Sequence, residues 1–77
     1  MKQLQFRLRD EFIELHNLLK VLGVCPSGGA AKTLVASGAV QVDGAVELRK
    51  SRKLRAGQRV LTGEVEIEVL PRAAEPA

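Results

Sequence analysis

The sequence predicts an α+β fold: two packed helices against a small antiparallel sheet, in a single domain. Three observations carry this. Apolar residues recur at helical spacing from about residue 12 to residue 35 and at a spacing of two from residue 40 onward. A turn over residues 24–26, ending at Pro26, separates two helical stretches. An Asp43-Gly44 pair stands between two extended runs, where a tight hairpin turn requires consecutive positive φ angles.

Residues 4–8 (LQFRL) alternate apolar and polar and predict a short strand. Asp10 then offers an N-cap, and Phe12, Leu15, Leu19 and Leu22 recur with helical period beside Leu18. These predict a helix from about Glu11 to Leu22, stopped at Gly23. Pro26 pushes Cys25 out of helical backbone. Ser27 is a good N-cap for a second helix over Gly28 to Ser37, with Ala30, Ala31, Leu34 and Val35 on its apolar face and Gly38 placed for a left-handed cap. Val40 and Val42 alternate with Gln41, and Asp43-Gly44 turns the chain into a return strand over about Ala45 to Leu48. A basic stretch follows, its ends expected to be pinned to the core by Leu48, Leu54 and Val60. Arg59-Val60-Leu61 reads as a strand, Thr62-Gly63 as a turn, and 64–69 as a strand with Val65, Ile67 and Val69 inward and Glu64, Glu66 and Glu68 outward. Phe6 and Phe12 occupy apolar positions and are expected in the core. The domain is expected to span residues 1–70, with 71–77 a frayed tail.

The chain has 77 residues, enough for one modest core, and at 45% hydrophobic and 27% charged it is neither disordered nor membrane-spanning in composition. The first residues carry no apolar stretch of the secretory kind. Cys25 is the only cysteine, so no internal disulfide forms, and a cytoplasmic location is expected. His16 stands apart from any acid or cysteine at ligand spacing, and no catalytic pairing or metal set emerges. The chain is expected to be neither an enzyme nor a cofactor-binding protein, and to act as a monomer without a small-molecule substrate.

Net charge is only +3, but its distribution is uneven. Six of the twelve Lys and Arg lie between Arg49 and Arg59, and no Asp or Glu occurs from Leu48 to Gly63. Arg49, Lys50, Arg52, Lys53 and Arg55 place five cations within seven residues. Their mutual repulsion would be relieved by a polyanion. A second candidate is the start of the second helix. Bare amides at Ser27, Gly28 and Gly29 favour a phosphate, and Lys32, one turn on, lies on the same face. The PSGGAAKT segment is not a nucleotide-binding P-loop, because Ala31 precedes the lysine and no strand precedes the segment. With two Phe and neither Tyr nor Trp there is no base-stacking platform, which favours phosphate contact and shape readout of a folded RNA. Two alternatives remain. One is a protein-interaction module or ribosome-associated assembly factor docking through the acidic strand face. The other is a helix-turn-helix DNA binder, for which the second helix offers only Lys32, Thr33 and Ser37.

The run SGGAAKTLVASGAVQVDG, with Ser27, Ala31, Lys32, Leu34, Val35, Gly38, Val40, Val42, Asp43 and Gly44 in order, resembles the RNA-binding domain first described in bacterial ribosomal protein S-four, the alpha-L motif. Gly57-Gln58-Arg59-Val60 is similar to a later part of that pattern. Length, the VDGAVELRK segment and the basic run are similar to the short stand-alone bacterial members of the YbcJ type. The resemblance implies two helices on a small antiparallel sheet, with structured RNA, ribosomal or transfer RNA and through it the ribosome, contacted by the second helix and the hairpin region. Many members carry Arg-Leu-Asp where this chain has Glu14-Leu15-His16, and Arg where it has Gly28. The resemblance therefore implies that binding shifts onto Lys32 and residues 49–55.

Overall fold

The computed structural model describes residues 1–73. Within them, seven strands and two helices follow one another as β1 (Lys2–Arg7), β2 (Ile13–Glu14), α1 (Leu15–Val21), α2 (Gly28–Ala36), β3 (Val40–Val42), β4 (Ala45–Val46), β5 (Lys53–Leu54), β6 (Arg59–Thr62) and β7 (Val65–Leu70). Five strands form one sheet in the order β1-β7-β6-β3-β4, and β2 pairs with β5 as a separate two-stranded ribbon.

Alternation decides which face of the large sheet is buried. Val60 lies opposite Ile67, Val42 opposite Val60, and Leu4 beside Ile67, so one face is an apolar layer. The helices cover it with Leu15, Leu18, Leu19, Ala31 and Val35, all fully buried with Val40, Leu54, Val60 and Ile67. Ala31, on the apolar face expected from the sequence, is fully buried in this core. The opposite face is polar: Arg59 pairs with Glu66 at 3.2 Å and Glu68 at 3.4 Å, and Gln5 donates to Glu68.

Among these strands, pairing is antiparallel with one exception. β1 runs parallel to β7, Leu4 beside Ile67 and Phe6 beside Val69. No hairpin links the two. They are far apart in the chain, with the helices between them, so no local turn imposes an antiparallel sense.

The first helix is shorter than its periodicity predicts, and Asp10 does not cap it. Residues 13 and 14 are extended and pair with Leu54 and Lys53. Glu14 occupies the N-cap position without a side-chain cap bond. The free amides at the helix start go instead to carbonyls of the basic stretch: Leu15 N–H donates to Arg52 O at 2.9 Å and His16 N–H to Lys50 O at 3.1 Å. A tertiary partner thus replaces the local cap. The second helix opens as expected, with Ser27 Oγ accepting from Ala30 N–H at 3.1 Å. Asp43 (φ 51°) and Gly44 (φ 85°) form the expected turn.

Two further expectations fail. Leu48 is 61% exposed and pins nothing. Glu47 beside it is buried, because its carboxylate has arginine partners there. Phe12 is only half-buried and lies outside the core, its ring covered by cations of the basic stretch. Of the predicted tail, Pro71–Ala73 adopt no regular structure and residues 74–77 lie outside the described residues.

Candidate nucleic-acid interface

The basic stretch runs from β4 to β5 and is fastened at several points. Glu47 Oε1 accepts from Arg52 at 2.8 Å, and Oε2 accepts from both the backbone and the side chain of Arg49, at 3.0 and 3.2 Å. These bonds, the Arg49 side-chain bond foremost, hold the Glu47 carboxyl down to about 2. The same pairing raises the already high pKa of the Arg49 guanidinium. The stretch therefore does carry a neutralising acid, one residue before the acid-free interval begins in the sequence.

His16 fastens the middle. Its Nδ1 lies 2.8 Å from Lys50 O, and because a carbonyl only accepts, Nδ1 carries the proton. His16, which the sequence places apart from any ligand partner, is a half-buried clamp. At the far end, Lys53 Nζ stands 4.9 Å from the Phe12 ring centroid and the Arg55 guanidinium 5.7 Å from it. Arg55 N–H donates to Gln58 Oε1 at 2.8 Å. Gln58 in turn donates to Asp43, whose other oxygen accepts from Arg59 N–H at 2.9 Å. Those bonds, the Arg59 backbone bond first, lower the Asp43 carboxyl below its ordinary range.

The fastened stretch faces α2 across an open groove lined by Lys32, Ala36, Leu48, Arg49, Lys50, Ser51, Arg52 and Lys53. Five of the nine residues expected to bind a polyanion therefore meet around one cleft. Ser27, Gly28, Gly29 and Arg55 do not line it. Ser27 is occupied as the α2 cap, Gly28 and Gly29 form the first turn, and Arg55 stacks on Phe12. Among the described residues, no acidic side chain lines the groove. Lys32, Lys50 and Lys53 make no ion pair among the described residues, whereas Arg49 and Arg52 are held by Glu47. Sequence reasoning missed Glu47, His16 and Phe12. A fixed cation run next to a lone Glu was the available signal for the first; the other two are brought in only by the fold. Among the described residues no cluster of His, Cys, Asp and Glu could hold a metal ion, and no helix is long and apolar enough to cross a membrane.

Comparison with known proteins agrees with this architecture. The "Putative RNA-binding protein YbcJ" of Escherichia coli (strain K12) is 54% identical over 48 residues, covering 62% of this chain and 69% of that protein. The "Uncharacterized protein YbcJ" of Shigella flexneri matches to the same extent. The solution structure of YbcJ from E. coli, described as revealing an alfaL motif involved in RNA-binding, superposes with a TM-score of 0.65 at 40% identity, over 91% of this chain and 87% of that one. The S4 domain model matches residues 6–70, which takes in both helices, the groove and all but the first few residues of the sheet, and the chain belongs to the S4 domain family.

Proposed function

We propose that the protein binds structured RNA, ribosomal or transfer RNA, with the groove between α2 and residues 48–53 as its main contact. One observation carries the reading: Lys32 is brought onto the same cleft as Arg49, Lys50, Arg52 and Lys53, with no acid on the rim among the described residues. The fastenings at Glu47, His16 and Phe12 support it, because cations held in advance lose less freedom on meeting phosphates. The relatives' RNA-binding descriptions point the same way. In this proposal Arg55 and the helix-start amides of Ser27, Gly28 and Gly29 supply further phosphate contacts outside the groove. On this reading the protein is a cytoplasmic monomer that works without cofactor or chemical step, in contact with the ribosome or its RNAs.

The alternatives fare less well. Thr33 and Ser37 hydroxyls are occupied by carbonyls of their own helix, leaving α2 little with which to read DNA bases. Arg59 sits between Glu66 and Glu68, so the acidic strand face is partly neutralised already.

Binding to a folded ribosomal-RNA fragment, a transfer RNA and duplex DNA across a salt series tests the proposal. Lys32, Lys50 and Lys53 are changed singly to Ala. Removing a lysine that neutralises one phosphate should lower the log–log salt slope by roughly 0.7–0.9. Slopes that do not move, or tighter binding to duplex DNA, would defeat it.

A further inference from the structure

Burial is inverted where the chain leaves β4. Val46 is 55% exposed and Leu48 61%, yet Glu47 between them is 8% exposed. Burying a carboxylate and exposing two branched apolar side chains runs against folding stability in so small a protein. Local rules broken in this way mark functional surface. Leu48 is not a stray residue. It lies beside Gly38, where an added Cβ would be 3.9 Å from its Cδ2, and with Ala36 it forms the apolar part of the groove. Around it stand Lys32, Arg49, Lys50, Arg52 and Lys53.

An exposed apolar patch among cations asks for a ligand that is flat and apolar in one part and anionic in another. A regular RNA duplex offers only the second, since its base faces are stacked inside. A peptide offers the first, but the rim would favour only a strongly acidic one. We propose that this groove seats a single unstacked nucleotide of a bulge or loop, its base against Leu48 and Ala36 and its flanking phosphates on Lys32, Lys50 and Lys53. The inference rests on the RNA-binding reading and names the RNA feature that the site selects.

The test uses the full chain and two RNA hairpins with the same stem, one fully paired and one carrying a single extruded adenosine. Covering much of the exposed leucine surface should make the bulged hairpin bind about tenfold tighter. Leu48→Ser should remove that preference, and Leu48→Met should retain it. The Leu48 methyl resonances should move upfield, from the ring current of the base, with the bulged hairpin alone. Equal affinity for both hairpins, or a Leu48→Ser variant with undiminished preference, would overturn the proposal. So would self-association that Leu48→Ser abolishes without altering RNA binding, which would assign the patch to a second copy of the chain. Failure of both hairpins to bind wild-type protein would instead remove the RNA-binding reading beneath it.

Discussion

Arg52 Nη1 lies 2.8 Å from Glu47 Oε1, and the same arginine's backbone carbonyl accepts the Leu15 amide at the start of α1. One residue therefore joins the hairpin, the basic stretch and the first helix. A cation expected only to meet a ligand is also part of the scaffold.

The carboxylate partner should reveal this in acid. Glu47 is held at about 2 against an ordinary 4.5, first by the Arg49 side chain, so the folded protein takes up its proton less readily than the unfolded chain. Its stabilising contribution is complete above the ordinary value and is lost as pH falls from there toward 2. Asp43, lowered by the Arg59 amide, acts in the same direction. Glu47→Gln should cost about 1–2 kcal/mol at neutral pH and flatten the acid limb of a plot of urea-unfolding free energy against pH.

Lysine and arginine on the same rim should separate in their effects. Lys50→Ala should reduce RNA affinity and salt slope without shifting the urea midpoint, since its ammonium has no ion-pair partner among the described residues. Arg52→Ala should reduce both affinity and stability, because it strips buried Glu47 of one of its partners. Equal midpoints for the two variants would contradict the scaffold role of Arg52.

Phe12 orders the far end of the stretch. Phe12→Leu keeps an apolar side chain but removes the ring face under Lys53 and Arg55. Stability should fall by about 0.5–1 kcal/mol, as for exposed cation–π pairs, and RNA affinity by a few-fold. The backbone amides of residues 53–55 should exchange faster with solvent. An unaltered exchange pattern would mean that β2–β5 pairing alone holds them.

Asp43 serves more than its turn. It tolerates left-handed backbone at φ 51° and also accepts from Arg59 and Gln58. Asp43→Ala should cost about 1–3 kcal/mol, from two missing hydrogen bonds in a position that disfavours alanine. Asp43→Asn should retain most of the stability, because Asn also accepts left-handed backbone and keeps one oxygen acceptor. Thermal unfolding of the two variants side by side distinguishes the contributions.

Much of this architecture is legible in the residues. Ser27 announces the second helix because its cap is local, spanning three positions. Asp43-Gly44 announces the hairpin because the φ requirement is local as well. The start of α1 is not legible: its caps are Arg52 O and Lys50 O, which no window around Asp10 contains. The parallel sense of β1 is hidden for the same reason. In the groove, charge density points to the 49–55 segment, but not to the division between arginines tied to Glu47 and lysines left open. Nor can spacing alone show that Lys32 joins them while Arg55 turns to Phe12. Alternation also misleads at Leu48, since an apolar residue following a strand reads as an anchor unless the competing burial of Glu47 is known.

The pairing of β1 with β7 has a consequence for how the protein is made. The earliest of these strands to leave the ribosome has the latest as its sheet neighbour, Lys2 waiting for Val65 and Arg7 for Leu70. Until then β1 remains an open edge, and the apolar layer under the helices lacks its central β7 residues, Ile67 and Val69. Pairing among β3, β4 and β6 needs none of β7, but β1 cannot join the sheet without it. A nascent chain halted before Val65 would therefore leave β1 unpaired and the core without Ile67 and Val69.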